Sequence, residues 1–267
     1  MTKDEMMLGN KVPSNLAQVG VIVKYTFLEY LRSRRFFILL TIAVVIGAVF
    51  TFVVGYYRPA IFLSSELVFY SVWWGMTATY LVVLAGIFFG GDAISGEFQN
   101  RTGYFVLPNP IKRSTIYAGK WLAALIASSI ILAVFAAIAM GNGMYHFGTG
   151  APYQFGVSLL FSWFYLASAL SFTFLLSSIF KSSSYSILVA AILFLFAFQI
   201  IQTFIANLVG IEPWFILTYG SQIIGNVLQI QYPENSVTIA EGLTIMAVYF
   251  VATVIIGLTL FNRREFT

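Results

Sequence analysis

Six stretches of the chain stay apolar for about 20 residues or more, the length a helix needs to cross a hydrocarbon core. They run over roughly 36–57, 67–91, 115–140, 155–180, 184–209 and 238–261. The pattern predicts an all-α membrane protein with six transmembrane helices over 36–267. The only ionisable residues inside these windows are Lys120 and Glu241, each close to an end. Glu241 lies near the N-terminus of its helix, where the macrodipole favours a negative charge.

A further helix is expected before the first span, within an N-terminal segment over 1–35. Asn15 followed by Gln18 is a weak variant of a capping box. Leu16, Val19, Val23, Phe27, Tyr30 and Leu31 lie along one stripe, interrupted by Lys24, Glu29 and Arg32. Arg32, Arg34 and Arg35 then abut the apolar run that starts at Phe36. This is the pattern of an amphipathic elbow lying on a leaflet before the chain bends into it. Anionic headgroups would add roughly 1 kcal/mol per basic residue there.

One more uncharged stretch, 214–230, competes as a seventh span. Thr218, Gln222, Asn226 and Gln229 recur in it at near-helical spacing, opposite Leu217, Ile224 and Leu228. A helix with one polar stripe prefers an interface or a wet cavity. The segment 210–237 therefore reads as an outer amphipathic, partly re-entrant element rather than a span.

Composition agrees with this division. The chain has 267 residues, is 60% apolar and has a mean hydropathy of +0.89, which excludes an ordinary soluble domain. Its net charge of +4 would suit nucleic acid, but the basic residues sit at membrane boundaries. Thirteen of the fourteen Lys and Arg fall on one face of a six-span topology, with Arg58 alone on the other. The positive-inside rule makes that face, and both termini, cytoplasmic. Six basic residues precede the first long apolar run, which does not fit a cleavable signal. The absence of cysteine removes disulfides, a thiol nucleophile and thiolate metal ligation.

Ion-coupled carriers keep Asp, Glu, Lys, Arg or His inside the membrane. The span interiors here hold none, and the one histidine, His146, is expected in the loop between the third and fourth spans. No catalytic set or metal site can be assembled from these spans. Gly119-Lys120 lacks the upstream glycine of a phosphate-binding loop. Milder polar faces remain. Gln199, Gln202, Thr203 and Asn207 share one face of the fifth span, as a substrate path or as interhelical hydrogen bonds. Tyr70, Trp73, Thr77 and Tyr80 share a face of the second, as in an interfacial aromatic belt. Ser158, Ser162, Tyr165 and Ser168 form a face of the fourth suited to close packing.

The interval Asp92–Lys120 holds six charges in a chain that is only 9% charged. Asp92 can cap a short helix, Glu97 and Arg101 form an i,i+4 pair, and Thr102-Gly103 can end it. Ser114 is a candidate N-cap of the third span. Asp92, Gly96-Glu97, Thr102-Gly103, Leu107-Pro108, Arg113 and Gly119-Lys120 follow one another here in the order found in the permease subunits of type 2 ATP-binding-cassette exporters, which this interval resembles. The resemblance extends to the six spans, the elbow and the outer segment. It departs at Thr102-Gly103, where Gly-Thr is commoner, and at Arg101, where glycine is frequent.

The resemblance implies a half-transporter in the cell membrane of a prokaryote. It would pair with a second permease, identical or homologous, and dock separate ATPase subunits that hold ATP and magnesium. No cofactor is expected in this chain, and membrane lipids are the other partner. Asp92, Glu97 and Arg101 would lie on a coupling segment (92–114) that meets the ATPase. Lys24, Glu29 and Arg32 would lie on the elbow, and Gln199, Gln202, Thr203 and Asn207 along the path. The expected activity is export of an amphipathic lipid, peptide or drug by alternating access, with no enzymatic activity of the chain's own. The alternative is a membrane anchor or sensor that recruits a cytoplasmic partner without moving a solute.

Overall fold

In the computed structural model, residues 14–99, 111–231 and 236–263 are described. No strand occurs among them. Six helices are long and apolar enough to cross a membrane: Arg34–Tyr57, Glu66–Gln99, Arg113–Phe147, Tyr153–Ile179, Ser183–Leu208 and Ile239–Arg263. They are numbered one to six below. No helix between Gly210 and Gln231 exceeds four residues, so 214–230 does not form a seventh span.

The elbow helix occupies Asn15–Arg32. Its N-cap is Ser14, whose Oγ accepts from the Ala17 amide, so the capping expectation at Asn15 is corrected by one residue. Its stripe is also shorter than expected. Phe27, Tyr30 and Leu31 pack on the core, while Leu16 is exposed. The helix lies along the third span, where Gly119 lets it approach: a Cβ there would stand 2.6 Å from Ile22 Cγ2. Ser33 makes the bend into the first span. Its hydroxyl donates to the Tyr30 carbonyl at 2.7 Å and accepts from the Phe36 amide at 3.3 Å, so one side chain closes one helix and starts the next.

Spans two, three and four form the centre of the bundle. The fourth packs against the second and the sixth, and the third against the first and the second. The serine face of the fourth span is packing, as expected. Ser158 and Ser162 are buried, and the Ser168 hydroxyl reaches the Met246 carbonyl of the sixth span at 2.8 Å. The fifth span is peripheral, with most of its surface uncovered.

One expectation fails through a local departure from the 3.6-residue period. A π-helical turn at Ser71–Gly75 shifts the register of the second span. Tyr70 and Trp73 are fully buried while Tyr80 is exposed, so these residues do not form an interfacial belt. Trp73 and Trp74 instead stack on Phe135 of the third span, with centroids 5.1 and 5.9 Å apart. The fifth span carries two such turns, at Leu193–Ala197 and Ile205–Val209. The third span is longer than its apolar window, about 52 Å at 1.5 Å per residue over its 35 residues. His146 therefore lies in its last turn rather than in a loop, and the N-cap is Lys112 rather than Ser114.

Candidate functional site

At the end of the bundle that carries the elbow, the second span turns tightly over 91–94 and resumes as one helical turn, Ser95–Gln99. This short helix was expected from Asp92. The carboxylate of Asp92 does not cap it, however. The Gly96 amide is taken by the Asp92 carbonyl at 2.8 Å, and those of Ile94 and Ser95 both donate to Ser177 Oγ of the fourth span at 2.9 Å. That leaves the Asp92 carboxylate free to pair with Arg35 at the start of the first span.

Glu97 forms an ion pair with Lys120 of the third span, whose ammonium also donates to the Ala93 carbonyl at 3.0 Å. The i,i+4 partner expected for Glu97, Arg101, lies outside the described residues, as do Thr102-Gly103 and Leu107-Pro108. Two halves of the sequence motif, Gly96-Glu97 and Gly119-Lys120, thus meet in space. Gly119 admits the elbow on one side of the third span, and Lys120 holds Glu97. Gln99 Oε1 accepts from the Ser183 amide at the start of the fifth span, at 2.7 Å. Six residues at this end of the second span, Asp92, Ala93, Ile94, Ser95, Glu97 and Gln99, are therefore held by spans one, three, four and five.

The elbow joins the same knot from the side. Tyr30 donates to the Phe89 carbonyl at 3.1 Å and sets its ring edge-on to Phe89. Burial, reinforced by the Asp92 charge, raises the Tyr30 phenol well above its ordinary range and keeps it a neutral donor. A cavity of about 370 Å³ opens between these groups, with Glu29 at its mouth and Arg35, Asp92, Glu97 and Lys120 in its wall. Lys24 and Arg32 point outward and are not drawn into the knot. Arg113, at the foot of the third span, donates to the carbonyls of Phe261 and Asn262 at 2.9 Å, bringing the end of the sixth span to this same end.

The polar face expected on the fifth span divides. Gln199, Thr203 and Asn207 line an open surface made of that helix alone, and Gln199 also borders, with Gln202, a cavity against the second span and the outer segment. Gln202 turns inward, where its Oε1 accepts from Thr218 Oγ1 at 3.3 Å. The outer segment folds there as two single turns, Leu217–Gly220 and Ile223–Asn226, whose side chains are largely buried. It is seated in the bundle through Trp74 Nε1, which donates to Ser158 Oγ at 3.0 Å, and through the Ser158 hydroxyl, which donates to the Ile224 carbonyl. Gly75 and Gly225 face each other there, and a Cβ on Gly75 would lie 2.9 Å from Gly225 Cα.

Several residues of these two regions could not be picked out from sequence. Lys120 was visible as a charge inside a span window, but its partner was not. Ser177 and Ser158 are two serines among many. Asn226 was visible only as part of a stripe. Among the described residues, no group of three or more His, Asp or Glu is placed to hold a metal ion.

No curated protein matches the chain. The family model described as ABC-2 family transporter protein matches residues 21–266, which takes in the elbow from Val21 onward, all six spans and the knot that ties them. The chain belongs to the ABC-2 transporter family, as one of its membrane-embedded transport components.

Proposed function

We propose that this chain is the permease half of an ATP-driven exporter. Two permeases pair in the cell membrane of a prokaryote, and separate ATPase subunits dock at the basic, cytoplasmic end. The observation that carries this reading is the knot at Asp92–Gln99. A segment bonded to four spans moves none of them alone, so a push on it from outside the bundle reaches all four together. Asp92, Glu97 and Arg101 form the docking region, with Lys24, Glu29 and Arg32 of the elbow beside it. ATP and magnesium stay on the partner. The fifth span supports the pairing: amides at Gln199 and Asn207 are costly toward lipid, and a second permease would cover them. Charge-poor, aromatic-rich spans suit an amphipathic substrate, moved by alternating access along the face from Gln199 to Asn207.

The test is reconstitution in vesicles with and without an ATPase subunit. ATP-dependent movement of a fluorescent amphipath is expected only with both. Transport or nucleotide hydrolysis by the lone chain would overturn the proposal, and no movement with both present would favour an anchor. A single cysteine introduced by Lys112→Cys should react only with reagent on the cytoplasmic face.

A further inference from the structure

At the end of the bundle opposite the knot, a cavity of about 320 Å³ lies between the π turn of the second span, the fifth span and the outer segment. That is within the range of small-ligand pockets, about 300–1,000 Å³. Its polar wall is made of amides and hydroxyls, chiefly Gln199, Gln202, Gln222, Asn226 and Thr79, and no ionisable acid or base of Asp, Glu, Lys, Arg or His type lines it. Met76 and Tyr80, both largely exposed, add an apolar rim. Asn226 is only 7% exposed, yet its Nδ2 has no hydrogen-bond partner. A buried amide nitrogen without an acceptor is destabilising unless something else supplies one.

We infer that this pocket binds an uncharged, hydroxyl-rich group, such as a pyranose or polyol headgroup carried on an apolar tail. The chemistry selects against the other headgroup classes. A phosphate or carboxylate would find no cation, and its desolvation would go uncompensated. A purely apolar group would strand the amides. Side-chain amides offer a donor and an acceptor side by side, which matches neighbouring hydroxyls, each of which is both. The C–H face of a ring can rest on Tyr80. The inference deepens the permease reading by naming the group that is carried. Binding is measured on the purified full chain without an ATPase, so failed transport with intact binding touches only that reading.

The probes are monoglucosyl diacylglycerol, the same diacylglycerol without sugar, phosphatidylglycerol and phosphatidylethanolamine, titrated against the chain by native mass spectrometry and thermal unfolding. The glucolipid is expected to bind at least five-fold tighter than each of the others. Asn226→Leu and Gln222→Leu should each lose that preference and leave phosphatidylglycerol binding unchanged. Without lipid, Asn226→Leu should unfold no lower than the parent, because the removed nitrogen had no partner. If Asn226→Leu does not fold, Gln222→Leu, at a partly exposed position, carries the test. Equal binding of all four lipids, preference retained in the variants, or equal competition by an N-acetylated tripeptide amide would overturn the inference.

Discussion

Reversing Glu97 separates two roles that one residue can play. In Glu97→Lys an ammonium replaces the carboxylate beside Lys120, and the Ala93 carbonyl is left to be shared by two cations. The original pair is only 16% and 19% exposed, so water screens it partly. Two unit charges at hydrogen-bond contact interact by about 5 kcal/mol at an effective dielectric near 20. Desolvation and residual exposure cancel much of that, leaving a net loss of about 2 kcal/mol once the new repulsion is relieved by the side chain swinging outward. For a chain of this size that corresponds to a fall of about 4–8 °C in the unfolding midpoint.

The compensating reversal, Lys120→Glu, restores opposite charges across the same gap. The double variant should regain most of the lost midpoint in detergent, a coupling of about 1–2 kcal/mol. ATPase co-purification is the second readout. If Glu97 acts only through Lys120, by holding the short helix in place, the double variant recovers co-purification along with stability. If Glu97 also touches the ATPase, stability returns and co-purification does not. A single reversal that changes neither quantity, or a double variant that recovers no stability, would refute the reasoning from the ion pair.

Ser177→Ala removes the acceptor shared by the Ile94 and Ser95 amides; it should cost about 1–3 kcal/mol in thermal unfolding and lower transport per ATP hydrolysed more than it lowers hydrolysis. Thr203→Cys introduces the sole thiol of the chain onto the open face of the fifth span; oxidation in membranes should give a cross-linked permease pair on gels, whereas Val248→Cys, exposed on the sixth span, should not. Gly90→Ala sets a Cβ 2.0 Å from Thr173 Oγ1 and should lower the unfolding midpoint by several degrees, an effect that Thr173→Ala in the same chain should partly reverse.

The spans were legible because length and hydropathy alone decide them, and a helix that must cross lipid leaves little choice of period. Boundaries failed where a serine one residue away made the better cap, as at Ser14, or where a helix ran past its apolar stretch, as at His146. Faces failed where the period itself changed. The stripe Tyr70–Trp73–Thr77–Tyr80 assumes 3.6 residues per turn, and one π turn is enough to send its first half inward. The fifth-span stripe splits for a different reason: Gln199, Gln202 and Thr203 share a regular α-helical stretch, and Gln202 is drawn inward by Thr218. The charged break after the second span was legible as a polar interval, but its bonds were not. Charge density marked Asp92 and Glu97, whereas Arg35 and Lys120 lie 57 and 23 residues away from them, a relation that only the packed bundle creates.

The second span joins the two polar regions, and its construction bears on how they communicate. From Leu81 to Ile94 it is buried almost without interruption, and Gly86 and Gly90 bring its backbone against Ala169 and Thr173 of the fourth span. At one end the span is bonded through Ser177, Arg35 and Lys120. At the other, its π turn abuts Gly225 of the outer segment. A π turn converts to α by releasing one residue, which rotates everything beyond it by about 100° of helical phase, the angle one residue occupies. A push on the Ser95–Gln99 helix can therefore reach the amide-lined pocket through the buried helix from Met76 to Gly90, beyond which lies the π turn at Ser71–Gly75.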